Sequence, residues 1–253
     1  MTTRRYALKR DPEDSRDLLF VSRAAVLPES VDLRPRDAAA IFEQGALGSC
    51  TANAICAFLS YLDKNFGYQS GLHFEYSRLY LYWHERNLEG TVDYDSGAFL
   101  RDGFKILQQR GCAGEGEFPY VESTFRNTPS AEAEEAAACH KIASYRRLNA
   151  NNPQQLKESL AEGYPVVIGI EIYESFESLE VARTGIVPIP DRTKEYALGG
   201  HAVLAMGYTQ INGIEYIICR NSWGADWGDG GYFYLPMAYV GRMISDMWTG
   251  RVA

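Results

Sequence analysis

The amino-acid sequence predicts an α+β fold of two lobes, helical in the first half of the chain and antiparallel β in the second. Three observations carry that prediction. From Cys50 onward, Ile55, Phe58, Leu59, Leu62 and Phe66 recur at helical spacing. After Gly163 the character changes to β-branched runs such as PVVIGIEI, which suit a doubly buried strand or a strand in a closed sheet. HAVLAMGYTQ and IEYIICR flank Asn212-Gly213, a dipeptide that suits a tight type I′ hairpin. Segregated helices and strands give two packed layers, and the cleft between two lobes is a natural ligand site.

In chain order, residues 1–26 read as a charged arm ahead of LPESVDLRP, where Pro28 and Pro35 punctuate an extended lead-in. Residues 27–253 form one domain, its helical lobe spanning about 40–120 and its β lobe about 121–248 together with 27–39. The first helix begins at Cys50 and ends at Gly67. FEYSRLYLYWHERNL and SGAFLRDGFKILQQRG are two more helices, the second with Ser96 as N-cap and Gly111 as C-cap. The Ala/Glu-rich PSAEAEEAAACHK holds His140. NNPQQLKESLAEG is a short helix with Asn152 capping and Pro153 in its first position. GYFYLP is the last predicted strand.

A chain of 253 residues is long enough to bury a real core. Its net charge of −8 argues against a nucleic-acid or anionic-membrane partner. The longest stretch free of Asp, Glu, Lys and Arg, Tyr196 to Ile214, is too rich in glycine and polar groups to span a bilayer. MTTRRYALKRDPEDSRDLLF offers no apolar signal-peptide core, so the expected location is cytoplasmic, or outside by a route without a signal peptide. The five cysteines (Cys50, Cys56, Cys112, Cys139 and Cys219) are odd in number, form no CxxC pair and are expected to be reduced. His73, His84, His140 and His201 lack metal-ligand spacing, so neither a metal nor a cofactor is expected.

The chemistry concentrates in three places. QGALGSCTANA sets Cys50 at the start of a helix, where free N–H groups and the macrodipole favour a thiolate. Gly48 permits a tight turn there, and Ser49 leaves the sulfur approachable. Alone, Cys50 reads as a core cysteine, because a nucleophile needs a base. His73 and His84 lie in an aromatic helical segment and His140 in the Ala/Glu helix. His201 differs, since Gly199-Gly200 precede it and place it at a strand start on a permissive turn; alone it reads as a satisfied histidine at a sheet edge. CRNSWGADWGDGGY then supplies Asn221 across the hairpin from His201, an amide able to orient the imidazole, with Trp223 to shield that hydrogen bond. Read blandly, NSWG is a turn with a buried tryptophan.

Taken together, Gln44 to Cys50, then HAVLAMGY, then NSWGADWGDGGY resemble the papain-like cysteine peptidases in motif and order, from about Leu27 to Tyr234. The resemblance implies a papain-like two-lobe fold, a helical lobe and a β-barrel-like lobe with the active-site cleft between them. It implies Cys50 as nucleophile, His201 as general acid and base, Asn221 as the orienting amide and Gln44 as side-chain donor of the oxyanion hole. DSGAF resembles the family's glycine stretch, which makes Gly97, with Ser96, Gly200 and Trp223, substrate-binding. The family signature C-G-[SA]-C-[WY] is altered here. Leu47 replaces the first cysteine and Thr51 the aromatic, a pattern similar to the bacterial, disulfide-poor branch. His201 and Asn221 follow Cys50 by 151 and 171 residues, slightly further than the usual spacing.

The expected activity is a thiol-dependent endopeptidase acting on protein or peptide through a Cys–His ion pair and a thioester. The rivals are a papain-fold acyltransferase or transglutaminase-like enzyme and a catalytically silent peptide-binding protein. Two further expectations concern placement. Asp246, in MISDMWTG, is read as a solvated aspartate at a helix end in preference to the floor of a specificity pocket. The arm, with Leu18, Leu19, Phe20 and Val21 needing cover, either lies across the cleft and inhibits the enzyme or packs on the back of the β lobe, the first being preferred.

Overall fold

The computed structural model describes residues 4–22, 26–37, 39–67 and 74–252, so His73 lies outside the described residues. Its central helix, α1 (Cys50–Phe66), is buried at every position from Cys50 to Leu62, because α2, α3 and a long strand enclose it. The helix stops at Gly67, whose N–H bonds to Asp63 O at 2.9 Å. Helix α2 (Arg78–Leu88) starts later than its aromatic run suggests, because Ser77 Oγ accepts from Tyr80 N at 3.0 Å and fixes the first turn.

Helix α3 (Leu100–Gln109) corrects the cap read from the sequence. Its N-cap is Phe99, while Ser96 Oγ is taken up by Thr91 Oγ1 at 2.8 Å and its neighbour Gly97 O at 2.9 Å. An early amide of α3 is met from far away instead: Arg101 N donates to Asp11 Oδ1 at 3.2 Å. Gly111 closes the helix just past its end, with φ of 92°. Helix α4 (Ala131–Ala137) ends before His140, which stacks on Phe74 at 4.4 Å. Helix α5 (Pro153–Ala161) begins at the predicted proline, with Asn152 Oδ1 accepting from Gln154 N at 3.0 Å, and helix α6 (Leu179–Thr184) is short.

The second lobe is one antiparallel sheet of β1 (Val31–Asp32), β2 (Ile142–Arg147), β3 (Val166–Tyr173), β4 (Ala197–Ile211), β5 (Ile214–Arg220), β6 (Tyr232–Pro236) and β7 (Ile244–Val252). Its path is β2-β7-β3-β4-β5-β6, with β1 added to β4, and among the described residues β2 and β6 do not pair. The lobe is therefore an open sheet and not a closed barrel. The β4–β5 turn takes the backbone its dipeptide requires, with φ of 51° at Asn212 and 79° at Gly213. Asp246 is no helix-end residue. It sits in β7, buried, and its Oδ1 accepts from Arg147 at 2.9 Å.

The arm touches both lobes with its backbone. Leu8 N donates to Gly200 O of β4 at 3.1 Å, and Lys9 N to Ala98 O beside α3 at 3.0 Å. Further on, Arg147 N donates to Leu18 O and Phe20 N to Arg147 O, both at 2.8 Å, which covers the outer edge of β2. Of the apolar run, Phe20 is buried while Leu18, Leu19 and Val21 stay exposed. The cleft is thus reached by residues 4–9, not by that run.

Candidate active site

Cys50 opens α1, and His201 lies inside β4 opposite Ile170 of β3. The strand begins at Ala197, so His201 is held within the β3–β4 pairing and does not stand at a strand start. The hairpin returns β5 alongside, and the next residue is Asn221. His201 Nε2 meets Asn221 Oδ1 at 2.9 Å, and Ser222 N donates to the same oxygen at 2.9 Å, fixing the amide's orientation. Trp223 stacks on the imidazole at 5.0 Å, shielding that bond from water. Among the described residues, His201 Nδ1 is buried with no hydrogen-bond partner.

Gln44 is bound to the same turn. Its N donates to Ser222 O at 2.9 Å, its Oε1 accepts from Ser222 Oγ at 2.6 Å, and its Nε2 donates to Leu47 O at 2.9 Å. The amide is thereby held beside the loop leading into Cys50. Gly97 and Gly200 line the cleft from opposite walls. At Gly97, with φ of 66°, a methyl group would overlap Ala7 O, and at Gly200 it would lie 2.7 Å from Leu8 O. Both glycines therefore admit an extended backbone, and here that backbone is the arm. Among the described residues, the side chain of Ser96 makes the two local hydrogen bonds given above.

Cys50 is fully buried, unlike the approachable thiol expected from the sequence, and His201 is 1% exposed. Tyr6 meets both His201 and Trp223 edge-on at 6.2 Å. This burial controls the electrostatics. It pushes the Cys50 thiol up to about 12, against the opposing hydrogen bond from the Ala202 backbone, and pulls His201 down to about 4. Both shifts favour the uncharged thiol and the uncharged imidazole while the two groups stay buried.

Sequence reasoning missed the supports. Thr51, where the family motif has an aromatic, donates to Glu85 Oε2 at 2.7 Å beneath α1, and burial holds that carboxyl well above its ordinary range. Asp95 accepts from Gly48 N at 3.0 Å and from Tyr82 OH at 2.5 Å. Neither contact is signalled by local spacing. Cys50, Cys56, Cys112, Cys139 and Cys219 are all free thiols, with Cys56 and Cys219 buried in α1 and β5.

A cysteine at the start of a helix, hydrogen-bonded to the Ala202 backbone beside His201, with Asn221 bonded to that histidine just past β5, is the arrangement of a cysteine-type peptidase on this fold. The model of the papain family cysteine proteases matches residues 27–245, and the chain belongs to that family. An uncharacterized peptidase C1-like protein of Acanthamoeba polyphaga mimivirus is 38% identical over 215 residues, 81% of this chain and 68% of that protein. Cathepsin S of Bos taurus is 29% identical, over 83% of this chain and 60% of its own length. Xylellain, a cysteine protease from Xylella fastidiosa, superposes with a TM-score of 0.89 at 33% identity, covering 98% of this chain and 96% of that one. Procathepsin L 3 of the Tenebrio molitor larval midgut shares the fold, at TM-score 0.77 and 20% identity over 98% of this chain and 76% of that one.

Proposed function

We propose that this protein is a thiol endopeptidase whose own N-terminal arm restrains it. The observation that carries the reading is the His201 Nε2–Asn221 Oδ1 bond at 2.9 Å, which leaves the buried, unpartnered Nδ1 as the ring nitrogen able to take the thiol proton. The Cys50 sulfur attacks the peptide carbonyl, and the oxyanion is held by Cys50 N–H and the Gln44 amide. His201 protonates the leaving amine, and water then hydrolyses the thioester. An amide orients this histidine, where transglutaminase-like enzymes use a carboxylate, and both reacting groups are retained, which counts against a silent binding protein.

The arm's restraint is supported by its backbone bonds to Gly200 and Ala98 and by Tyr6 against His201. Tethering gives a high effective concentration, so weak contacts suffice. A chain starting at Leu27 is expected to cleave peptides faster than the full chain and to be inhibited by peptide 1–26 added in trans. Its iodoacetamide reactivity should rise well below a free thiol's ≈ 8.5. Equal activity with and without the arm would remove the restraint; a rise only near the free-thiol value would remove the ion pair.

A further inference from the structure

Two arginines enter the cleft with the arm, and each finds a carboxylate on a different wall. An extended chain points successive side chains to opposite sides. Arg5 reaches the helical wall, where Nη1 donates to Asp95 Oδ2 at 2.5 Å and to Asp95 O at 3.1 Å. Arg4 reaches the sheet wall, where Nη1 donates to Glu177 Oε2 at 2.7 Å and the guanidinium lies 3.9 Å over the Trp223 ring. Tyr6, the next residue, sits against His201 and also donates to Glu177.

The Asp95 carboxylate is held independently of the arm, whereas Glu177 is placed by its backbone turn and its carboxylate is met by Arg4 and Tyr6 of the arm. Asp95 is fixed by Gly48 N, two residues before Cys50, and by Tyr82 OH. These neutral donors orient its carboxylate without cancelling its charge. Glu177 ends the short turn Glu174–Glu177 that follows β3, near Phe176, which packs edge-on against Trp223 at 5.5 Å. With the arm displaced, both walls offer a carboxylate near the catalytic pair, and the Trp223 face is free to take a cation. We propose that Asp95 and Glu177 are specificity-determining residues, recognising basic side chains next to the scissile bond, so that the substrates are arginine- or lysine-bearing polypeptides. Arg4 and Arg5 occupy these places as an internal mimic.

This assignment rests on the peptidase reading, and its test separates the two. Internally quenched peptides would carry arginine, or its neutral isostere citrulline, at the two residues flanking the cleaved bond, and kcat/KM would be measured with the full-length chain. Arm opening enters both rates equally and divides out of their ratio. Arginine is expected to be favoured about tenfold or more; Asp95→Asn and Glu177→Gln should each lower that ratio several-fold, and together bring it near one. Arg5→Ala should raise both rates and leave the ratio in place. Equal rates for the two peptides, or a preference that survives the double substitution, would overturn the assignment and leave the peptidase standing. Cleavage of the arginine peptides by the Cys50→Ala chain would instead bring down the peptidase reading.

Discussion

At the scale of single residues, three side chains, from α1, from β4 and from the residue just past β5, divide the proposed chemistry, and their removal should not cost the same. Cys50→Ala removes the only sulfur at the start of α1 and leaves a cavity of one atom, so the fold should stand while peptide hydrolysis falls by at least about three orders of magnitude. His201→Ala should be comparably damaging, since the thiol then lacks a proton acceptor. Asn221 acts through another residue. Its Oδ1 holds His201 Nε2, but Trp223 stacking and sheet pairing hold the ring as well. Asn221→Ala should therefore be milder than His201→Ala by about one to two orders of magnitude. Steady-state kinetics on one fluorogenic peptide would decide it; an Asn221→Ala defect as deep as that of Cys50→Ala would mean that Asn221 does more than orient.

At the scale of elements, local signals set the helices and tertiary contacts set the edges of the sheet. Ser77 illustrates the first: its Oγ caps α2 and also donates to Phe118 O. Ser77→Ala should cost about 1–2 kcal/mol, read as a lower urea midpoint with an unchanged slope; no change would show that the cap is redundant. The boundaries of α1 and α5 and the Asn212-Gly213 hairpin were legible because periodicity, a capping asparagine and a positive-φ dipeptide all act over a few residues. Strands β2 and β7 were not. IASYRR has one buried position, and β7 carries Asp246 and Thr249 in a buried run, polar residues whose partners Arg147 and Pro165 O come from distant segments. The Cys50, His201 and Asn221 positions were legible as motifs. Their enclosure was not, since nothing in RRYALK says that it lies against Gly97 and Gly200, nor that Asp11, and not Ser96, meets the start of α3.

At the scale of the whole molecule, the arm is joined to both lobes through a buried charge cluster. Arg101 of α3 pairs with Asp17 at 2.8 Å, and Arg147 of β2 pairs with Asp17 and with Asp246 of β7, both at 2.9 Å. Asp11 completes it: its N–H donates to Asp246 Oδ2 at 3.2 Å, and its carboxylate accepts from Trp248 Nε1 at 2.8 Å and from Arg101 N. Tyr145, Asp14 and Asp102 lie within electrostatic range of the same groups. Three carboxylates here face two guanidiniums. Burial, and after it the charge of Asp246, raise Asp11 to about 7 from an ordinary 3.8. An acid raised in the docked state binds its proton more tightly there than in a released arm. The contribution of Asp11 to docking is therefore full below about pH 4, weakens as pH rises, by up to about tenfold per pH unit, and is lost above about pH 7. The ratio of Cys50 labelling rates in the full chain and in the chain starting at Leu27 cancels the thiol's own titration, and that ratio should climb between pH 4 and 7. Asp11→Asn keeps an acceptor for Trp248 but carries no charge, like the protonated acid, so its ratio should stay low and nearly flat across the same range. A wild-type ratio that does not change with pH, or an Asp11→Asn chain that follows the wild type, would show that Asp11 does not govern the arm.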